Sequence, residues 1–286
     1  MKIVDVGSGT PIVVIPGIQG RWEWMKPAVD ALAEQGRVIT FSLCDEPTSG
    51  GHFDEGAGFW CYVEQVREAL DASGIERASI CGVSYGGMIA AAFAARHPQR
   101  VASLLLVSAL SPSWRPDERA TFYAASPWLM TPLFCIRSLR NYREIAAAHN
   151  GWWRGIAPAV RHGINVLRYA FHPGRMARRV HLLSSVRIEA ELAGVQVPVL
   201  LVTGEDSLDS VVPPRVTRGY LDLWPHARAV TIARTGHLGV ITRPAEFAAI
   251  VSAFAAEHAS RTFDGALPDP GSPIPDPFVV PRRRIG

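Results

Sequence analysis

Residues 78–97 read ASICGVSYGGMIAAAFAARH. Ala78 to Cys81 is a short apolar run that predicts a buried strand. Gly82 opens a sharp turn. Met88 to Arg96 is apolar and rich in alanine, the best helix former, so it predicts a buried helix that His97-Pro98 stops. Between strand and helix stands Gly82-Val83-Ser84-Tyr85-Gly86, a G-x-S-x-G pattern. A serine on so tight a turn holds strained backbone, and a side chain at either flank would collide with neighbouring chain, hence the two glycines. The turn pushes Ser84 out at the C-terminal edge of its strand. It also places Ser84 at the head of a helix, whose N-terminus favours developing negative charge. Bare pentapeptides of this kind are common; the strand–turn–helix context gives this one chemical meaning.

The same alternation extends on both sides. Pro11 to Ile15 (PIVVI) predicts a strand ending in Pro16-Gly17, and Arg37 to Phe41 (RVITF) predicts another. Phe59, Val63, Val66 and Leu70 share one helical face within 59–72, a helix ended by Ser73-Gly74. Val101 to Val107 (VASLLLV) is a further strand. Strands alternating with helices, each strand nearly continuously apolar, predict an α/β fold: a mostly parallel central sheet with helices on both faces. After Ser111-Pro112 the alternation stops. Helical segments are expected near 117–125, 138–149, 155–170 and 174–190, with no clear strand. It resumes with a strand at Val197–Val202, a helix at 216–223, a strand at 229–232 and a helix at 245–258. The predicted organisation is a core of residues 1–112 and 194–262, a helical cap of 113–193 and a proline-rich tail of 263–286. Such a tail can be neither helix nor central strand; it is expected to be disordered or laid along the surface as a strap.

Composition agrees with one sizeable domain carrying an insertion: 286 residues, 48% apolar, with a formal net charge of +3. That charge does not call for nucleic acid. Cys44, Cys61, Cys81 and Cys135 form no C-x-x-C pair and no zinc-like spacing with histidine, so reduced thiols are expected and neither metal nor cofactor. No leader-like segment opens the chain and no stretch stays apolar for a membrane span. The expected place is therefore the cytoplasm, without stable membrane insertion.

A serine hydroxyl is a weak nucleophile until a base takes its proton. His237 lies in Thr235-Gly236-His237-Leu238-Gly239, after the final strand and before the final helix, where a loop reaches the sheet edge that carries Ser84. His97, His226 and His258 lie at or near helix ends and are expected to be exposed. His52, His149, His162, His172 and His181 reach from loops or the cap but lack a comparable location. The base in turn needs a carboxylate to fix its tautomer. The segment from Gly204 to Pro213, after the penultimate strand, offers Glu205, Asp206 and Asp209, in the required chain order of serine, acid, histidine.

With these residues in place, the chain resembles the α/β-hydrolase superfamily over roughly residues 10 to 258. The resemblance is to the branch with esterases, enol-lactonases, C–C bond hydrolases and cofactor-free haloperoxidases. It implies Ser84 as nucleophile, His237 as base and an acid four residues before a proline, the spacing of Asp209-Ser210-Val211-Val212-Pro213. The distance from Gly204 is longer than usual, as though two residues were inserted, which leaves Asp206 as a rival. The resemblance also implies an oxyanion hole of backbone N–H groups, one from Tyr85 and the other, by position, from Ile18. The family's usual His-Gly is here Pro16-Gly17. Gln19 and Trp22 or Trp24 are candidates to line the pocket. The loop 44–52 replaces a family motif and is expected to be structural.

The implied activity is hydrolysis of an ester-like small molecule. C–C or lactone hydrolysis, perhydrolysis and a non-enzymatic ligand receptor are the alternatives. A serine at the turn speaks against the dehalogenase and epoxide-hydrolase branches, which use aspartate there. From Ser113 to Arg187 stand 12 arginines and no lysine against Asp117, Glu118 and Glu144, interleaved with aromatic residues. Two readings are open. The cap attracts anionic substrates or an anionic surface around an apolar gorge, or its aromatics pack on the core and its arginines form a solvated outer face.

Overall fold

A computed structural model describes residues 1–259. The tail expected at 263–286, and the last three residues assigned to the core, lie outside them. Seven strands form one sheet in the order β1-β3-β2-β4-β5-β6-β7. They are β1 (Val4–Gly7), β2 (Pro11–Ile15), β3 (Arg37–Thr40), β4 (Ala78–Val83), β5 (Val101–Val107), β6 (Val199–Thr203) and β7 (Arg228–Thr231). All neighbours run parallel except β1, which pairs antiparallel with β3 through Val4↔Thr40 to Gly7↔Arg37. The predicted α/β class is the observed one. Val4–Gly7 was not among the expected strands. It is four residues long and largely exposed, too little apolar patterning to register.

Alternate residues of each central strand feed opposite faces, as the period of two requires. Val13, Ile15, Ile80, Leu104, Leu106 and Leu201 pack beneath α2 (Trp60–Ala72) and α3 (Tyr85–Arg96). Ile12, Val14, Cys81, Leu105, Val107 and Val202 pack on the other face, with α1 (Lys26–Ala33) and a C-terminal helix (Pro244–His258). Burial on both faces explains why these strands read as unbroken apolar runs. From Tyr85 to Ala94 every residue of α3 is buried, and small alanines let it lie close on the sheet.

Between β5 and β6 the chain forms α4 (Glu118–Ala125), α5 (Pro127–Ser138), α6 (Asn141–Ala148), α7 (Ile156–Arg168), α8 (Pro173–Ser185) and α9 (Glu189–Leu192). Helix α5 was not expected, since Pro132 sits in its interior and removes one backbone donor. Pro127 at its first position suits a helix start and compensates locally. The expected segment 174–190 is two helices, broken at 186–188. Likewise 216–223 is α10 (Pro214–Arg218) and α11 (Tyr220–Leu223), separated by Gly219. Helices α12 (Gly239–Thr242) and α13 (Pro244–His258) complete the described chain.

Candidate active site

The turn after β4 has the expected strain. Ser84 adopts φ 55° and ψ −116°, where non-glycine residues are rarely found. A Cβ on Gly82 would stand 2.2 Å from the carbonyl oxygen of Gly86, and one on Gly86 would stand 2.5 Å from that of Ile15. Both flanks must therefore be bare for α3 to start against the end of β2. The Ser84 N–H donates to Val107 O at 2.8 Å, and Gly87 N–H donates to Ser84 O at 2.9 Å, so the strained residue is held from both sides.

The loop after β7 brings in His237, whose Nε2 lies 3.1 Å from Ser84 Oγ across 153 residues of sequence. This loop lies directly on the one after β6: a Cβ on Gly236 would be 2.6 Å from the Asp209 nitrogen. Asp209 is buried, and its Oδ2 stands 3.5 Å from His237 Nδ1, an ion-pair separation longer than a good hydrogen bond. Its Oδ1 accepts from the N–H groups of Val211 and Val212, both at 2.9 Å, which anchors the carboxylate. The extra residues before Asp209 are absorbed by a turn in which Leu208 and Asp209 N–H donate to Glu205 O. Asp206, the rival acid, is 62% exposed in its side chain and faces Arg218 at 3.4 Å. Glu205 accepts instead from Arg234 N–H at 2.7 Å.

Loop 16–20 lies against Ser84: a Cβ on Gly17 would be 3.5 Å from Ser84 Cβ. Gly20 N–H donates to Gly17 O at 2.9 Å and closes the loop. Tyr85 is the first residue of α3, where a backbone N–H has no partner within the helix. Its ring is buried edge-on to Phe59 and Tyr62, and burial pushes the phenol pKa upward. Trp24 faces the inserted helices. Its Nε1 donates to Tyr169 O at 2.9 Å, and its ring meets His162 and Phe171 edge-on. Trp22 packs instead on the cluster beneath α1 and α13.

Neither simple reading of the insertion fits throughout. Arg179 of α8 is 0% exposed, contrary to a purely solvated arginine face. It reaches Asp45 Oδ1 and Glu46 Oε1, each at 2.6 Å, and donates to Ile18 O at 2.7 Å. Arg175 Nε donates to the same Glu46 oxygen at 3.0 Å. Burial by itself would lower the guanidinium pKa, but Asp45 and Glu46 reverse this and hold it above its ordinary value. The loop 44–52 is thus the acidic seat of a buried cation from the insertion. The aromatics divide too: Phe171 meets the rings of Trp24 and Phe134, while Trp128, Trp152 and Trp153 are exposed. Among the remaining histidines, His226 is exposed as expected, and His97 is half-buried. His258, expected outside, is buried against Phe254, because it falls on the same inward face of α13 as Val251, Phe254 and Ala255. His172 accepts from Arg175 N–H at the start of α8. Among the described residues no group of three or more histidine, cysteine or carboxylate side chains is arranged to hold a metal.

A family profile described as alpha/beta hydrolase fold matches residues 10–131. The chain is 27% identical to the 2-hydroxymuconate semialdehyde hydrolase of Pseudomonas sp. (strain CF600), covering 88% of this chain and 89% of that one. It is 25% identical to the pimeloyl-[acyl-carrier protein] methyl ester esterase of Aliivibrio salmonicida, over 84% and 90% of the two chains. Among solved structures it superposes on the enol-lactonase from Burkholderia xenovorans LB400 with a TM-score of 0.69. That match covers 89% of this chain and 96% of the other at 20% identity, a likeness of fold.

Proposed function

We propose that the chain is a member of the α/β-hydrolase superfamily and a serine hydrolase cleaving a carboxylic ester, or closely related acyl bond, of a small and partly apolar substrate. The observation that carries this reading is Ser84 Oγ on strained backbone, 3.1 Å from His237 Nε2. In the proposed reaction His237 takes the hydroxyl proton as Ser84 Oγ attacks the substrate carbonyl. Asp209 stabilises the imidazolium, and the N–H groups of Ile18 and Tyr85 receive the oxyanion. His237 then protonates the departing alcohol, and the acyl-serine ester remains. Water, losing its proton to His237, releases the acid and restores Ser84. Residues 113–193 act as the cap over this edge of the sheet.

A second reading is favoured by the similarity to a hydrolase of 2-hydroxymuconate semialdehyde: the same three residues cleaving a C–C bond beside a ketone. The test is hydrolysis of p-nitrophenyl esters of increasing acyl length by the wild type and Ser84→Ala. Ester turnover lost in the variant is the expected result, and the best chain length sizes the pocket. Turnover of a 2-hydroxymuconate-type substrate without ester turnover would replace the first reading by the second. Equal ester activity in both proteins would remove Ser84 from the chemistry.

A further inference from the structure

Helix α6 of the insertion sends a carboxylate beneath the loop that carries His237. Glu144 is 1% exposed, the one acidic residue between Glu118 and Glu189. Its Oε1 accepts from Thr235 Oγ1 at 2.8 Å and from Leu238 N–H at 2.6 Å. Glu144 therefore holds the residues on both sides of His237. Thr235 Oγ1 also lies 2.7 Å from Thr242 Oγ1, which ties the clasp to α12. Asn150, at the end of the same stretch, meets the Arg234 guanidinium. The core holds the loop from the opposite side, through Glu205. A buried carboxylate that merely filled space would be costly. This one is placed so that its acceptors meet loop donors that would otherwise be unpaired in the interior.

We propose that Glu144 is a positioning residue: it sets the backbone of 235–238 so that His237 stays in reach of Ser84, and it makes docking of the inserted helices a condition for a competent base. The proposal rests on the reading of Ser84 and His237 as nucleophile and base. Displacement of a reacting group by about 1 Å costs on the order of 100-fold in rate. Glu144→Ala should thus lower kcat on p-nitrophenyl butyrate by between about 10-fold and 100-fold while KM changes little. Glu144→Gln, whose oxygen still accepts from Thr235 and Leu238, should recover most of that loss.

Rates are taken per folded molecule, checked by circular dichroism, beside uptake of a fluorophosphonate probe by the serine. A wild type that takes up the probe, a Ser84→Ala that does not, and a Glu144→Ala that reacts slowly form the supporting pattern. Wild-type rates in folded Glu144→Ala, or equal impairment of the Ala and Gln variants, would overturn the proposal and leave the serine hydrolase standing. A wild type that neither turns over the ester nor takes up the probe would remove both. Should Glu144→Ala not fold, Thr235→Val removes one donor and keeps the carboxylate. A fall in kcat at constant KM supports the role there, and unchanged kinetics refute it.

Discussion

Ser84 holds backbone that costs about 1–3 kcal/mol for an ordinary residue, a cost borne so that its hydroxyl stands clear of the sheet edge. Ser84→Ala should keep the fold and lower kcat by on the order of 10⁶-fold, measured on the ester it prefers. Asp209→Asn should lower kcat by about 10⁴-fold, whereas Asp206→Asn, at an exposed site, should stay within about twofold. Equal effects of the two would contradict the proposed acid. Ser84 and His237 are legible in the sequence because each follows from local patterning, a turn between strand and helix or a loop after the last strand. Spacing could not separate Asp209 from Asp206. In the fold a turn on Glu205 O sets Asp209 beside His237, while Asp206 faces Arg218. Glu144 was legible only as one acid among many arginines, since its partners lie more than 90 residues away. Burial raises its carboxyl pKa above the ordinary 4.5, and hydrogen bonds from the loop only partly offset this. Its contribution to stability is therefore full below about pH 4.5 and declines as pH rises through the elevated value. Glu144→Gln, which cannot ionise, should gain in Tm relative to the wild type between pH 4.5 and 8. A constant difference across that range would contradict the assigned shift.

At the scale of elements, the strands were readable where burial on both faces makes them continuously apolar, and β1 was not because it is an exposed edge. The inserted helices were readable in number and place only approximately. Pro132 hid α5, and the packing of α8 on the core depends on ion pairs spanning 133 and 134 residues. Helix α8 is fastened by Arg179, whose removal would leave Asp45 without its cation and Glu46 with Arg175 alone. Breaking one side of such a buried cluster costs about 3–5 kcal/mol. Arg179→Met should lower stability by that amount in urea unfolding and also lower kcat, because Ile18 O loses its donor. The exposed pair of Arg228 and Glu257 offers a control: Arg228→Ala should change stability by less than about 1 kcal/mol.

Across the whole molecule, the cysteines measure how the chain opens. Cys135 is exposed on α5, Cys44 and Cys81 are buried, and burial pushes the Cys81 thiol up to about 12. A thiol reagent at pH 8 should modify Cys135 rapidly and Cys81 only at the rate of global unfolding, read by mass spectrometry against urea. Early modification of Cys81 would mean that β4 is not in the stable centre. The seat of Arg179 has a bearing on recombination. Hydrolases of one architecture can exchange insertions only if each newcomer fits the sheet edge it lands on. Here the host loop carries two carboxylates that demand a matching cation. A chimera bearing a foreign insertion should lose a comparable share of stability unless it supplies an arginine at the place of Arg179, or the host has neutral residues at 45 and 46. Loop 44–52 and helix α8 should therefore be exchanged together.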